Sequence, residues 1–152
     1  MKKDRWHGID IDQLQSNEEG ERIAFDEKGK EIYHAYPDGS YKKWSYDDVG
    51  NEIYFEYSNK EHYWSKKRYD EKGNIIYHED SHEYWEEHTY DDSNNLIFYK
   101  DSLGHWERCV FDQHGNVISF EDAEGVYEEY SYNDRNERTE TIVLKKARKT
   151  SD

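Results

Sequence analysis

The sequence predicts an all-β fold, an antiparallel meander of 21-residue β-hairpin repeats forming a single curved, twisted sheet, and three observations carry that expectation. The first is an internal repeat. From Tyr90 to Tyr132 the segments YDDSNNLIFYKDSLGHWERCV and FDQHGNVISFEDAEGVYEEYS follow one another in register. Each opens with an aromatic residue and Asp, then places a turn residue at offset four, Asn at five, Ile at seven, Gly at fourteen and an aromatic at sixteen. A fixed period of this size governs how the whole chain is read. The second observation is a pair of turn signals in every unit, separated by the usual length of a strand. The third is composition. Only 33% of the 152 residues are hydrophobic and 38% are charged, yet 15 Tyr, 5 Trp and 5 Phe recur at regular spacing with a single Pro. Low hydrophobicity would ordinarily mean disorder. Regularly spaced aromatics bury large areas and keep a polar edge, so cross-strand ring contacts can hold a half-wet sheet.

Counted from each aromatic-Asp start, the units begin at Phe25, Tyr46, Tyr69, Tyr90, Phe111 and Tyr132, with one interval of 23 residues among intervals of 21. The extra pair belongs to the loop around Ser58, Asn59 and Lys60, because hairpin tips accept insertions that strands do not. A degenerate earlier unit starts at Asp4, with Gly8 and Ile11 at offsets four and seven. Residues 1–144 are expected to form one domain, with clear repeats over 25–142, and 145–152 a basic flexible tail.

The first turn signal is Asp at offset one with Gly at four, as in Asp47 and Gly50, Asp70 and Gly73, Asp112 and Gly115. An Asp carboxylate accepts backbone N–H bonds at the start of a turn, and Gly supplies the positive φ that closes it. Asn94 and Asn136 stand in for Gly, the replacement this chemistry tolerates. The second signal is a tip near offset fourteen, as in AspSerLeuGly at 101–104 and AspAlaGluGly at 122–125.

Alternation along the strands then assigns faces. If the first turn is a four-residue loop, one face collects the repeat-start aromatics with Ile32, Ile53, Ile76, Ile97 and Ile118. The other collects Tyr41, Trp64, Trp85, Trp106 and Tyr127, with Tyr33, Tyr54, Tyr77 and Phe98. Charges including Lys43, Lys66, Glu87, Arg108 and Glu129 interrupt that second ladder. The Ile/Tyr side is expected to be the more buried, and no helix is required.

Segments such as DGSYKKWSYDDVGNEIYF and EGVYEEYSYND resemble the YD repeats of the Rhs type, whose pattern is Gly, a few polar residues, Tyr-X-Tyr-Asp, two residues, Gly and a hydrophobic strand. The resemblance covers roughly residues 20–142. It implies a continuous β-ribbon, which large members coil into a shell around a secreted toxin domain. This chain is expected to lack secretion elements and has too few repeats to close a shell. Being short and acidic, it is similar instead to the small immunity proteins that accompany bacterial contact-dependent growth inhibition and related polymorphic toxins.

Other chemistry fares less well. His78, His82 and His88 lie near Glu79, Asp80 and Glu83, but no HxH or HExxH spacing is present, and His34, His78 and His88 occupy positions where other units carry rings or Cys. No metal and no cofactor are expected. The recurring Asp at offset one is a turn former, whereas a catalytic residue is singular. Cys109 with His105 has no third orienting group. No phosphate loop, nucleophile elbow or basic aromatic surface occurs, so the chain is read as a non-enzyme.

The net charge of −15 repels nucleic acid and anionic membrane and attracts a basic protein. One cysteine and no apolar leader fit a cytoplasmic protein. The leading reading is an immunity protein that occludes the active site of a basic toxin domain, a nuclease, in a heterodimeric complex rather than as a homo-oligomer. Tyr41, Trp64, Trp85, Trp106 and Tyr127 would be its anchors and Glu87, Glu107 and Glu128 its acidic contacts, the last two on the opposite face. The alternative is a carbohydrate-binding or structural YD-repeat module. Two structural alternatives stay open: closure into a barrel, and pairing of an outer strand with another copy, against which Lys145, Lys146, Arg148 and Lys149 would guard.

Overall fold

The computed structural model describes residues 5–145, so the expected tail from Lys146 onward and the repeat start at Asp4 lie outside the described residues. Fourteen strands follow in order: β1 Arg5–Trp6, β2 Ile9–Asp10, β3 Arg22–Phe25, β4 Glu31–Ala35, β5 Tyr41–Tyr46, β6 Glu52–Ser58 and β7 Tyr63–Tyr69. Then come β8 Ile75–Asp80, β9 Trp85–Tyr90, β10 Leu96–Asp101, β11 Trp106–Phe111, β12 Val117–Asp122, β13 Val126–Tyr132 and β14 Arg138–Lys145. A short 3-10 turn, Ile11–Gln13, is the one helical element among the described residues. The strands from β3 to β14 hydrogen-bond to their sequence neighbours in strict order, with β3 and β14 outermost, so the fold is the expected antiparallel meander and is open rather than a barrel. β1 and β2 form a separate two-stranded hairpin.

The turn chemistry follows from one carboxylate. Asp47 Oδ1 accepts the N–H groups of Val49, Gly50 and Asn51, while its Oδ2 accepts the Asn51 side-chain amide at 2.9 Å. Asp70 with Asn74, Asp91 with Asn95 and Asp112 with Asn116 repeat the side-chain pair at the same distance. The glycine at offset four is needed for its backbone, as Gly50 at φ 100 illustrates, and Asn94 and Asn136 take the same left-handed conformation at φ 72 and 65. Glu83 adopts it too, at φ 63, where other units carry Gly.

The loop is longer than a four-residue turn, and this corrects the face assignment. Tyr46 pairs with Glu52 and Ser45 with Tyr54, so residues 47–51 form the loop and Ile53 is left over as a bulge. Ile32, Ile97 and Ile118 are skipped in the same way. The isoleucine at offset seven therefore sits where strict alternation breaks, and its side cannot be read by counting. At the 23-residue interval the registers stay in step up to Tyr57 opposite Tyr63, which places the two extra residues within the tip at 58–62, as expected.

Successive hairpins are fastened by the repeat-start tyrosine. Tyr46 Oη donates to the Glu31 carbonyl at 3.2 Å, Tyr69 to Glu52 at 2.9 Å and Tyr132 to Val117 at 2.9 Å. Each acceptor is the residue just before the bulge of the preceding hairpin, whose carbonyl the irregular pairing makes available.

Contacts group the chain into two compact units, residues 1–74 with 78–82, and residues 75–77 with 83–152. The buried apolar cluster lies in the first: Ile11, Ala24, Ile32, Tyr33 and Ala35, with Trp6, Ile9, Leu14, Tyr41 and Tyr46 packed against it. Ala24 pairs with Tyr33, Tyr33 with Lys43 and Ala35 with Tyr41, so these buried residues share the Tyr41 side of the strands. The expectation that the Ile/Tyr side is the more buried therefore fails in this unit. The reason is local: the N-terminal strap made by β1, β2 and the 3-10 turn lies over the Tyr41 side, with Trp6 against Lys43 and Tyr54. In the second unit the apolar residues are more open, and Leu96, Val110 and Ile118 count among its exposed hydrophobics.

Candidate partner-binding face

The aromatic ladder is built by cross-strand register. In the first unit Lys43 faces Glu56, Glu56 faces Trp64 and Tyr54 faces Lys66, which puts Tyr41, Lys43, Tyr54, Glu56, Trp64 and Lys66 on one side. Glu56 is buried there and accepts the Tyr41 and Tyr54 hydroxyls, both at 2.8 Å, with His62 Nε2 at 3.7 Å. Burial, reinforced by the Glu56 carboxylate, pushes the Tyr54 hydroxyl well above the ordinary tyrosine range, so it remains a donor. Lys43 is buried as well, with its ammonium 4.7 Å from the Tyr41 ring centre and 5.4 Å from that of Trp6. Lys66 covers Trp64 at 4.7 Å and bonds Glu79 at 3.2 Å.

In the second unit Lys100 pairs with both Glu87 and Trp106, Phe98 with Arg108, Arg108 with Glu121, and Glu121 with Tyr127. Glu87, Trp106 and Tyr127 therefore share a side, together with Trp85 two residues before Glu87. Lys100 bonds Glu87 at 2.8 Å and stands 5.5 Å from the Trp85 ring centre. Tyr127 Oη donates to Glu129 at 2.6 Å. Glu107 pairs with Tyr99 and Glu128 with Phe120, so both lie on the opposite side. Glu128 there accepts the Tyr130 hydroxyl, beneath the Arg138 guanidinium. The ladder tryptophans and tyrosines are half-buried, and lysines and carboxylates are woven among them. Such a surface offers ring faces and charge together.

Two sets of residues escaped the sequence reading. Ser81 and Ser102 fix the ladder tryptophans: their N–H groups donate to the Trp64 and Trp85 carbonyls at 2.9 Å, and their hydroxyls accept the same tryptophans' N–H groups. The signal was available, since Ser follows the tip Asp in both AspSer pairs. The other set is a polar chain on the opposite side of the second unit. Tyr84 Oη bonds Glu86 at 2.9 Å and lies 3.2 Å from Tyr99 Oη, which donates to Asp101 at 3.0 Å, and His105 Nδ1 meets the same carboxylate at 2.9 Å. The bond from Tyr84, with burial and Asp101 adding to it, holds the Tyr99 hydroxyl far above its usual range. Only the three-dimensional register brings these residues together.

Among the described residues no three His, Cys, Asp or Glu side chains gather as a metal site, and no helix is long and apolar enough to cross a membrane. Burial, with Glu107 nearby, pushes the Cys109 thiol up, which keeps it protonated and weakly nucleophilic.

No family model and no curated protein matches the chain. Solved structures do. The chain is similar to the crystal structure of TcdB2-TccC3-Cdc42, with 20% identity and a TM-score of 0.57, covering 78% of this chain and 7% of that one. It is similar to a Photorhabdus luminescens Tc holotoxin pore carrying a TccC3 mutation, with 19% identity and a TM-score of 0.57, over 78% of this chain and 6% of that one. The crystal structure of TcdB2-TccC3 gives 20% identity and a TM-score of 0.54, over 74% and 6%. The likeness is one of fold. It agrees with the Rhs/YD-repeat-like architecture that the sequence resembles, and this chain spans less than a tenth of the chains it matches.

Proposed function

We propose that the chain is a non-catalytic, immunity-type protein that binds a basic toxin domain, a nuclease, in the cytoplasm and blocks its active site. The observation that carries this reading is the combination of a −15 net charge with a ladder of half-buried Trp and Tyr interleaved with carboxylates. Excess negative charge steers a cationic domain and accelerates encounter, while aromatic anchors slow release. Carboxylates arrayed on an antiparallel ribbon offer a nuclease cleft the field it evolved to meet in phosphate.

The test is protection in cells. The reading expects a toxin domain encoded beside this gene: a bacterial strain producing that domain survives when the chain is co-expressed, and the two purified proteins form a one-to-one complex whose association slows steeply with salt. Unprotected growth with no complex at low salt overturns the reading. The fold likeness to Tc toxin chains favours a second reading, a structural YD-repeat module. Under it the isolated chain binds neither a toxin domain nor an arrayed glycan.

A further inference from the structure

The second unit carries a shallow hollow of about 520 Å³ lined by Thr89, Asp91, Ile97, Phe98, Arg108, Cys109, Val110 and Phe111. Counted from the repeat start at Tyr90, each of these has a counterpart counted from Phe25: Ala24, Asp26, Ile32, Tyr33, Lys43, Trp44, Ser45 and Tyr46. The registers agree as well as the numbering. Phe98 pairs with Thr89 and Arg108 just as Tyr33 pairs with Ala24 and Lys43.

In the first unit those counterparts are the seat of the N-terminal strap. Trp6 Nε1 donates to the Trp44 carbonyl at 3.1 Å, and the Trp6 ring lies under the Lys43 ammonium. His7 Nε2 and Ser45 Oγ are 2.8 Å apart. Trp6, Ile9 and Ile11 belong to the cluster formed with Ala24, Ile32, Tyr33 and Tyr46. The strap turns at His7 and Gly8, both in the left-handed region at φ 49 and 81, which lets one tight hairpin present an indole and an isoleucine to the same surface.

The hollow keeps the chemistry that this seat uses. An isoleucine, an aromatic ring, a cation and a second aromatic occupy the same offsets, as Ile97, Phe98, Arg108 and Phe111. Arg108 is exposed, and its guanidinium stands 5.8 Å from the Phe98 ring centre. Val110, in place of Ser45, is 46% exposed and makes the floor more apolar. We propose that this hollow is a docking site for a tryptophan-bearing β-turn of a partner protein, one that presents an indole and a branched aliphatic residue as the chain's own Trp6–Ile9 hairpin does. The indole lies against Arg108 and Phe98 and donates its N–H to the Cys109 carbonyl, the counterpart of the Trp44 carbonyl. The proposal rests on the reading of the chain as a protein-binding module, but not on the partner's charge or on its being a nuclease.

The experiment uses a synthetic peptide of residues 5–16 added to the full chain, followed by amide chemical shifts. The expected result is saturable binding with the largest shifts at Phe98, Arg108 and Val110. The same peptide carrying Trp6→Ala binds at least tenfold more weakly, and Val110→Asp in the full chain abolishes the shifts while leaving the spectrum of the first unit unchanged. Shifts confined to Ala24, Ile32 and Lys43, where the peptide merely exchanges with the strap, overturn the proposal. So does binding that Trp6→Ala leaves intact, or no binding at millimolar peptide. Cell protection without peptide binding would sink this site and spare the immunity reading, and peptide binding without protection would do the reverse.

Discussion

The repeat that starts at Phe25 and the repeat that starts at Tyr90 share the aromatic-Asp start, the isoleucine at offset seven, the ring at eight and the cation at eighteen, yet they meet solvent differently. In the first, Ile32 is 2% exposed and Tyr33 3%, because the strap lies over them. In the second, Ile97 and Phe98 line an open hollow. Small residues explain where the strap settles. Ala24 and Ala35 lie in one buried cluster with Ile11, and Leu14 packs against it, whereas the corresponding positions carry the larger Thr89 and Lys100. One repeat chemistry thus supports either a small core or a binding surface, and the choice falls to a pair of side chains beside it.

The sharpest way to break this comparison is a matched pair of deletions. Ile32→Ala empties a fully buried site and costs about 3 kcal/mol, whereas Ile97→Ala, at the equivalent but half-open position, costs about 1 kcal/mol. Thermal or urea unfolding measures both, and equal costs would mean that the strap adds nothing to burial. Next in size is Trp6→Ala, which removes the half-buried indole from Lys43 and Tyr54 and costs about 2 kcal/mol. It also raises exchange of the Ala24 and Tyr33 amides and leaves those of Phe98 and Arg108 unaffected.

Acid sensitivity should be shared by both units, since the same turn is used throughout. Hydrogen bonds from Asn74 hold the Asp70 carboxyl below its ordinary value, and those from Asn116 do the same for Asp112. A carboxylate depressed in the folded state adds stability that is complete above its unfolded value near 3.8 and disappears as pH falls through the lower folded value. Stability is therefore flat near neutrality with respect to these groups and drops below about pH 4. Asp70→Asn and Asp112→Asn each flatten the acid limb of a pH titration of stability. The smallest effect belongs to Glu83, held at a φ of 63 that an L residue adopts at a cost. Glu83→Gly stabilises the chain by about 0.5 kcal/mol, readable as a small rise in Tm.

Much of this was legible beforehand, because the hairpin signals are local. Asp47 with Gly50 and Asn51 spells out its own turn, and the inserted pair at 58–62 lies where tips tolerate length. What sequence could not deliver was the bulge at Ile32, Ile53, Ile97 and Ile118. A single unpaired residue shifts every later parity, and nothing in the identity of an isoleucine marks it as unpaired. The strap was equally opaque, since a short polar segment with one Trp gives no sign of where it will lie. Of the candidate anchors, Tyr41 and Trp64 share a side in the first unit, and Trp85, Trp106, Tyr127 and Glu87 share one in the second. Alternation within strands predicted that correctly because none of them follows a bulge on its own strand.

The hydroxyl that reaches from Tyr46, Tyr69 and Tyr132 back to the hairpin before it has a bearing on how such chains change length. A copy that starts with Tyr, as at Tyr46, Tyr69 and Tyr132, brings the donor for its predecessor, whereas the copy that starts at Phe111 has no hydroxyl to give, so a duplicated period arrives fastened only where its start is Tyr. A gain or loss of any other number of residues between two starts must be absorbed in a tip, as at 58–62, or it parts the tyrosine from its carbonyl. Genes for ribbons of this kind are therefore free to vary in copy number while staying strict about phase.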